Sequence, residues 1–244
     1  MSPRTSIPIG VIAGTGIVEN FHLPGRLIVE TEFGDVTVQH STGRSFYLLP
    51  RHGPGHEIPP HRVNYRANIS ALHKLGVKSV IATGAVGSMN PKLRVGGLGL
   101  ASQFIDFTRG RQCTLFDSVV RHTDMTEPYS RRLGDAISTS AAQMGLKLAR
   151  GLVYVCVDGP RFETAAEIKM FRLLGGDVVG MTGVPEAVLA REMEMEYASI
   201  LVATNWAAGI QKKVSHAEVL EAMRKNGAKV KSLIMASIDR LGTS

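Results

Sequence analysis

Short apolar runs alternate with longer segments of helical periodicity along the chain. Nine runs predict β-strands, because about four to eight apolar or β-branched residues between turn signals are typical of buried strands. These runs cover residues 8–13, 27–32, 36–40, 45–49, 79–83, 98–105, 151–157, 178–181 and 198–204. Apolar residues at helical spacing predict five α-helices, at residues 64–75, 130–144, 164–174, 185–193 and 215–241.

The ends of these helices carry their own signals. Thr164 and Glu167 have the spacing of a capping box, and Ser215 and Glu218 repeat it at the start of the last helix. Gly76 follows the first helix at a position that suits a residue beyond a helix C-terminus. The boundaries therefore rest on local chemistry as well as on periodicity.

The alternation of strands and helices predicts an α/β fold. We expect a single domain, residues 1–244, with a mixed, largely parallel central sheet flanked by helices. Three strand candidates follow one another between residues 27 and 49, with turn signals at 33–35 and 42–43, and they indicate a hairpin region inserted early. Neither a repeat nor a linker-like stretch divides the sequence.

Composition narrows the class of protein. The 244 residues are 44% hydrophobic and 20% charged, and no apolar run could span a bilayer, so we expect no membrane partner. The apolar stretch near the N-terminus is broken by Pro8 and does not resemble a signal peptide. Cys113 and Cys156 give neither a disulfide framework nor a zinc spacing, and we expect a cytoplasmic protein.

The charge is basic, since Lys and Arg exceed Asp and Glu by seven. Such an excess serves solubility, an anionic ligand or nucleic acid. The basic residues are scattered, and neither an aromatic-interleaved stretch nor a helix-turn-helix pattern accompanies them. The sequence therefore argues against nucleic acid as a partner.

Polar and small residues follow the predicted strands. Ligands of open α/β sheets bind beyond the carboxyl ends of the strands. These ends are Gly14-Thr15-Gly16, Arg51-His52-Gly53, Gly84-Ala85-Val86-Gly87, 158–163, Met181-Thr182-Gly183 and Asn205. Loops are polar in most proteins, but agreement at so many ends favours a ligand site.

The first two ends suit an anion. The glycines around Thr15 permit close backbone approach to phosphate, whereas a dinucleotide site is disfavoured because Pro24 interrupts the helix it requires. Arg51 offers a fork of donors for an oxyanion, and His52 adds a donor or a second positive charge. The alternative is an exposed basic turn. Three histidines lie between residues 52 and 61, but no acidic cluster accompanies them, so we expect no metal.

The last ends suit a flat heterocycle. Phe162 could pack on its ring while Glu163 accepts from its N–H groups, although Glu163 could equally be a helix N-terminal acid. Asn205 ends an apolar strand, where its amide must find partners. It could cap a helix, or it could bind a ligand through one donor and one acceptor.

Together these residues resemble the trimeric purine nucleoside phosphorylase and methylthioadenosine phosphorylase family, from Gly10 to about Leu241. The segments that carry the resemblance are GTGI at 14–17, LLPRHG at 48–53, VNYRAN at 63–68, GAVGS at 84–88, DGPRFET at 158–164 and VVGMTGVPEAVLARE at 178–192. The resemblance implies cleavage of the N-glycosidic bond of purine nucleosides by inorganic phosphate. The products are the free base and ribose 1-phosphate, or its methylthio analogue.

The resemblance also assigns roles. Phosphate, the co-substrate and nucleophile, would be held by Thr15, Arg51, His52, Gly84, Ala85 and Thr182. The nucleoside would contact Phe162, Glu163, Met181, Asn205, Ala207 and His216, with His122 reaching in from a neighbouring subunit of a homotrimer. The catalytic residues would be Asn205, Glu163 and His52. Tyr65 is expected near the ribose, and neither a metal nor another cofactor is implied.

Two of these residues address the choice of purine. Asn205 can donate to O6 of a 6-oxopurine and accept from a protonated N7, while Glu163 can accept from N1–H. Methylthioadenosine-specific relatives have Asp and Ser at these positions. The chain therefore resembles the 6-oxopurine branch, with inosine and guanosine as expected substrates.

The 5′ group of the nucleoside is less clearly indicated. His216 favours a 5′-hydroxyl, because a thioether is a weak acceptor. The adjacency of Arg51 and His52 and the segment RHTDMTEPY at 121–129 instead resemble the methylthio branch. A 5′-methylthioinosine or 5′-methylthioadenosine phosphorylase is therefore the alternative.

Overall fold

Strands and helices alternate as the sequence predicts. The computed structural model describes residues 8–40 and 46–242. The strands there are β1 (Ile9–Ala13), β2 (Gly25–Val29), β3 (Val36–His40), β4 (Phe46–Pro50), β5 (Ser79–Ser88), β6 (Leu98–Asp106), β7 (Leu148–Cys156), β8 (Val178–Gly180) and β9 (Glu196–Trp206). The α-helices are α1 (Tyr65–Lys74), α2 (Arg131–Gln143), α3 (Ala165–Leu173), α4 (Gly183–Glu192) and α5 (His216–Gly242).

The strands form one sheet in the order β2-β3-β4-β1-β5-β8-β7-β6-β9. A further pairing joins β5 to β9, so that five of the strands close into a ring. Parallel pairs link β1 to β4 and β5, β5 to β9, and β7 to β6 and β8. Antiparallel pairs link β2 to β3, β3 to β4, β5 to β8, and β6 to β9. The α/β class and the mixed sheet are confirmed.

The predicted hairpin region forms the edge of this sheet. Strand β2 pairs with β3 from Gly25 opposite His40 to Val29 opposite Val36. It begins and ends earlier than predicted, because a turn closed by the Gly34 N–H and the Thr31 carbonyl at 3.1 Å occupies the following residues. The predicted turn at 42–43 and residue 45 lie outside the described residues.

Both faces of the sheet are buried, which explains why the central strands are apolar at successive positions. Val11 and Ile12 are both fully buried, yet they belong to different hydrophobic clusters. One cluster includes residues of α1 and α4, and the other includes residues of α2 and α5. Helices thus cover both faces and leave the strand ends to the site.

The predicted helix caps are largely present. Thr164 and Glu167 form the complete capping box that begins α3. Ser215 accepts from the Glu218 N–H at 3.3 Å, but the Glu218 carboxylate accepts from the Gln211 amide at 2.8 Å, so only half of the second box forms as predicted. Within the described ranges, no helix has both the length and the apolar character needed to cross a membrane.

Strands β5 and β9 are longer than predicted, and this changes the place of two site segments. They pair from Ser79 opposite Glu196 to Ser88 opposite Trp206, with a register shift after Val86. The segment 84–87 and Asn205 were predicted to lie beyond strand ends, but they lie inside paired strands. A Cβ atom at Gly87 would stand 3.3 Å from the Asn205 amide nitrogen, so glycine permits this close pairing.

Candidate active site

A cavity of about 500 Å³ lies where β1, β4 and β8 end and where β5 and β9 continue past them. It brings together residues from nearly the whole length of the chain. The predicted site residues that line it are Thr15, Arg51, His52, Gly84, Ala85, Phe162, Glu163, Met181, Thr182, Asn205 and His216. The close approach of these segments follows from the sheet order, because β1 and β5 are neighbours and β8 and β9 both flank β5.

Two predicted site residues do not line this cavity. Ala207 is buried in a hydrophobic cluster with Val179, and its N–H donates to the Ser88 carbonyl at 2.9 Å. His122 is exposed on the segment between β6 and α2. Its predicted role is in a neighbouring subunit, so a single chain leaves that role a prediction.

Arg51 is almost completely buried, and its guanidinium binds groups of the protein interior. Its Nε and Nη2 donate to the two Glu186 carboxylate oxygens at 2.7 and 2.6 Å, and its Nη1 donates to the Thr83 carbonyl at 2.7 Å. Gly14 allows this arrangement, because a Cβ there would stand 2.8 Å from Nη1. Of the five N–H groups of an arginine, two are left for an anion. The geometry therefore replaces the predicted bidentate grip on phosphate with a bidentate grip on Glu186.

The partner of Arg51 is itself held in place. The Tyr197 hydroxyl donates to Glu186 Oε1 at 2.6 Å. Burial opposes the charge on Arg51, but the Glu186 carboxylate outweighs burial and holds the pKa of Arg51 above its ordinary value. Charge-assisted hydrogen bonds of this kind fix geometry strongly in a dry interior. The result is a rigid buried ion pair under one end of the cavity.

His52 lies beside this pair in neutral form. Burial and the neighbouring Arg51 charge lower the pKa of His52 to about 4. Its Nδ1 lies 2.8 Å from the Ile58 carbonyl, to which a protonated Nδ1 donates, and Nε2 is then left as an acceptor. Of the two roles predicted for His52, a donor or a second positive charge, its lowered pKa disfavours the charge at neutral pH, because burial and the neighbouring guanidinium both oppose protonation.

Thr182 lies at the N-cap of α4. Its N–H and that of Gly183 both donate to the Tyr154 hydroxyl, each at 3.2 Å. Val184 is extended (φ −127°, ψ 132°), so the regular turns of α4 begin only after it. Thr15 and Arg51 line the same cavity as Thr182, which therefore combines two threonine hydroxyl groups with a guanidinium.

Phe162 and Glu163 also line the cavity. Asn205 lies opposite Gly87, four residues further along β5 than Thr83, whose carbonyl accepts from Arg51, and the part of the cavity lined by Asn205, Phe162 and Glu163 is called the base end. The acid that caps α3 is Glu167, which leaves Glu163 free of that role. Burial raises the pKa of Glu163, which is the expected result for a carboxylate in a largely apolar wall. Glu163 lines the cavity and is not the capping acid, so its role as an acceptor for a ligand stays a prediction.

Asn205 stands in β9 and is almost fully buried. Its Oδ1 accepts from the Thr204 hydroxyl at 2.8 Å, and its Nδ2 donates to the Trp206 carbonyl at 3.0 Å. It therefore caps no helix. An amide has two donors and two acceptor positions, so one donor and one acceptor are left for a ligand.

Several lining residues escaped sequence analysis. His56 adopts a left-handed backbone conformation with φ 59°, and its ring centre lies 4.6 Å from that of His52. Its Nε2 lies 3.5 Å from the Thr15 hydroxyl. The three-histidine segment was the available signal, but it suggested metal. Within the described part of the chain, no three His, Cys, Asp or Glu side chains are grouped as metal ligands.

Tyr65, expected near the ribose, lies behind the cavity wall. Its hydroxyl donates to the Pro60 carbonyl at 3.0 Å and lies 3.5 Å from the Met181 carbonyl. Both Pro60 and Met181 line the cavity. Tyr65 therefore supports the wall from outside.

Residues 8–239 match the family model of the phosphorylase superfamily, and the chain belongs to this family. It is 46% identical to the 6-oxopurine nucleoside phosphorylase of Pyrococcus furiosus, over 94% of this chain and 91% of the relative. It is 48% identical to a probable S-methyl-5′-thioinosine phosphorylase of Methanothermobacter thermautotrophicus, over 96% of this chain and 85% of the relative. These matches confirm the resemblance inferred from the motifs.

The fold has a solved counterpart. The methylthioadenosine phosphorylase of Schistosoma mansoni in complex with adenine superimposes with a TM-score of 0.90 at 32% identity, covering 98% of this chain and 93% of the other. The relatives thus include proteins named for nucleosides with either type of 5′ group, as the mixed sequence signals suggested.

Proposed function

We propose that this protein cleaves the N-glycosidic bond of 6-oxopurine nucleosides with inorganic phosphate, releasing the base and ribose 1-phosphate. The observation that carries the proposal is that a single cavity is lined by Glu163 and Asn205, which suit a 6-oxopurine, and by Arg51 and Thr182, which suit phosphate. Relatives named 6-oxopurine nucleoside phosphorylase, at 46% and 47% identity, support the same substrate class.

Base recognition follows from the groups that are left unpaired. The remaining Asn205 donor suits O6, and its remaining acceptor suits a protonated N7. The Glu163 carboxylate accepts from N1–H and, in guanine, from the 2-amino group as well. The leaving purine gathers negative charge, and Asn205 stabilises it by hydrogen bonding at N7. Adenine presents a donor at C6 and an acceptor at N1, which opposes both residues.

Phosphate is the nucleophile at the other end, so the proposal includes neither a metal nor a further cofactor. The transition state resembles an oxocarbenium ion, as in other glycosyl transfers. Thr15, Thr182, the Ala85 N–H and the outer N–H groups of Arg51 would hold the phosphate oxygens. The His52 Nε2 acceptor suits a protonated phosphate oxygen or a ribose hydroxyl, since HPO₄²⁻ carries one O–H.

A 5′-methylthioinosine phosphorylase is the second candidate. His216 and Val219 both line the cavity, one a hydrogen-bonding group and the other an apolar surface. Relatives of three archaea are named probable S-methyl-5′-thioinosine phosphorylases, at 48%, 45% and 43% identity. The base would be the same in both candidates, and only the 5′ group differs.

We further propose a homotrimer in which His122 reaches the 5′ end of a neighbouring site. The support is the segment 121–129 and its resemblance to the methylthio branch. A role in purine salvage in the cytoplasm fits the proposed substrates and the free thiols of Cys113 and Cys156. A fully active monomer in light scattering and sedimentation would contradict the trimer.

The test is an assay of base release from inosine, guanosine, adenosine, methylthioinosine and methylthioadenosine, with and without phosphate and with a chelator. We expect phosphate-dependent, chelator-insensitive release of hypoxanthine and guanine, with adenine released far more slowly. Sites built on hydrogen bonds can reject a mismatched partner by about 10⁴-fold. Release without phosphate, or preference for adenosine, would contradict the proposal.

A further inference from the structure

Arg111 lies outside the cavity but joins the segments that form its walls. Its side chain is 5% exposed, although it stands on the long segment between β6 and α2. Its Nη1 donates to the Val184 carbonyl at 2.7 Å, and its Nη2 donates to the Met181 and Asp158 carbonyls at 2.9 and 3.0 Å. Its Nε lies 3.2 Å from Asp158 Oδ1.

We propose that Arg111 is a positioning residue that sets the distance between the base end and the phosphate end of the cavity. This inference rests on the proposed function, because it concerns the alignment of the two reactants of that reaction. Arg111 touches neither reactant. It acts through the backbone of the segments that do.

The contacted carbonyls belong to two different walls. Asp158 begins the loop after β7 that carries Phe162 and Glu163 to the base end. Met181 follows β8 and directly precedes Thr182, at the phosphate end. One guanidinium therefore links the two walls. Because its N–H groups are fixed in a rigid plane, the carbonyls that they bind are held at a fixed spacing.

A third wall is joined through Tyr65. The Arg111 guanidinium lies over the Tyr65 ring, 5.2 Å from its centre, and its Nη1 donates to the Tyr65 hydroxyl at 3.3 Å. That hydroxyl donates to the Pro60 carbonyl at 3.0 Å, and Pro60 lines the cavity beside the His52 segment. Three carbonyl-rich chain segments thus converge on one buried cation, which offsets their repulsion.

Alignment is what a phosphorolysis without protein nucleophile depends on. Phosphate must approach the anomeric carbon in line with the departing base, and displacement of about 1 Å by a remote change can cost about 10²-fold in rate. Loss of Arg111 should therefore lower kcat about 100-fold, with smaller changes in the KM values for nucleoside and phosphate.

The variants are Arg111→Met, which keeps most of the apolar stem, and Arg111→Lys, which keeps the charge without the fork. Arg66→Met is the matched control. Arg66 pairs with Asp117 through Nη2 and Oδ2 at 2.5 Å and lies over the Phe33 ring at 4.0 Å, but neither partner lines the cavity. Its loss removes a partly buried arginine that also pairs with an aspartate and lies over an aromatic ring, without touching the walls.

The measurements are kcat and both KM values, thermal unfolding, and the number of hypoxanthine sites per chain. Trp206 is the single tryptophan and adjoins Asn205, so its fluorescence reports the binding of hypoxanthine. Site counting separates a slow enzyme from a partly unfolded one, which a fall in apparent kcat alone cannot do.

We expect Arg111→Lys to bind one hypoxanthine per chain and to turn over about tenfold to 100-fold more slowly than wild type. Arg66→Met should keep wild-type kcat. The inference is overturned if kcat per hypoxanthine site is within twofold of wild type in Arg111→Lys, which applies even if Arg111→Met does not fold. It is also overturned if Arg66→Met shows an equal loss per site. A wild-type protein that neither binds hypoxanthine nor cleaves inosine would instead refute the proposed function.

Discussion

The two ends of the cavity differ in how firmly the protein holds their polar groups. At the phosphate end, Arg51 is held by Glu186, Glu186 by Tyr197, and His52 by the Ile58 carbonyl. At the base end, Asn205 uses only one donor and one acceptor position of its amide, in hydrogen bonds with Thr204 and Trp206. The half-buried Glu163 carboxylate is hydrogen-bonded to its own backbone N–H and has a raised pKa.

This difference separates two tasks. Because the Arg51 guanidinium is already fixed by Glu186 and Thr83, its two remaining N–H groups can meet phosphate with little reorganisation, so the phosphate end is prepared before binding. Partly unsatisfied buried groups are expensive unless the right partner fills them, so the base end gains discrimination instead. We therefore expect substitutions at the base end to change rate and selectivity, and substitutions at the phosphate end to change stability as well.

The largest effect is expected for Asn205→Ala. The variant loses the hydrogen bonds to O6 and N7, and groups that assist proton transfer contribute about 10²–10⁴-fold to rate. Steady-state kinetics with inosine should show this loss while the thermal midpoint changes little. Asn205→Asp should lower inosine turnover and raise adenosine turnover relative to it. Unchanged inosine kinetics in Asn205→Ala would show that Asn205 does not contact the base.

Glu186→Ala tests the phosphate end. The change strands the buried Arg51 charge, and breaking a buried ion pair costs about 3–5 kcal/mol in the free energy of unfolding. Urea unfolding measures this loss, and the KM for phosphate should rise because Arg51 is no longer held. Asp135→Ala is the control, since the Asp135–Arg150 pair is exposed and should contribute at most about 1 kcal/mol. Equal losses of unfolding free energy in the two variants would mean that the buried ion pair stabilises the fold no more than the exposed pair does.

The role of Glu186 could not be predicted from the sequence. In the sequence it stands in the first turn of a predicted helix, where an acid needs no further explanation. Its partner Arg51 is 135 positions away, and only the folded chain brings the residue after β4 and the start of α4 together. Arg111 likewise stands in a loop of polar appearance, and its burial depends on strand ends that only the fold assembles.

Features that depend on neighbouring residues in the sequence were predicted most accurately. Strand β3 is predicted to the residue, and the Thr164–Glu167 capping box is complete, because both depend on near neighbours. Many of the residues that line the cavity were predicted from the sequence, because small and polar residues follow apolar runs at these positions. The sequence could not decide between a neutral and a charged His52, because burial and the Arg51 charge act only in the folded chain.

The protonation of His52 gives a smaller, pH-dependent effect. Its pKa is about 4 when folded, against about 6.5 when unfolded, so the unfolded state binds more protons between these values. Stability from this residue is complete above about pH 6.5 and is lost as the pH falls towards 4. The full window corresponds to about 3 kcal/mol.

Urea unfolding without phosphate at pH 6.5 and 4.5 should show a steeper loss in wild type than in His52→Gln. Glutamine can still donate to the Ile58 carbonyl but does not titrate, and the carboxylates common to both proteins cancel in the difference. Parallel losses in the two proteins would show that His52 is not held neutral. In that case, the polar groups of the phosphate end would be held no more firmly than those of the base end.

The smallest effect concerns the 5′ group, which belongs to neither end. His216 begins α5 and lines the cavity with Val219. A neutral hydrogen bond contributes about 0.5–1.5 kcal/mol, so His216→Val should lower kcat/KM for inosine by about threefold to tenfold. The same change places apolar surface beside a thioether and should leave methylthioinosine unaffected or improved.

The deciding quantity is the ratio of the two kcat/KM values, because a change that acts only through stability alters both substrates together. His61→Val provides the control, since His61 is exposed on the short turn Pro60–Arg62 and does not line the cavity. A ratio that moves in His216→Val and not in His61→Val assigns the 5′-hydroxyl to His216. If the ratio stays constant in both, His216 makes no selective contact there. The methylthioinosine alternative then becomes the better account of this site, because the remaining 5′ signals in the sequence favour it.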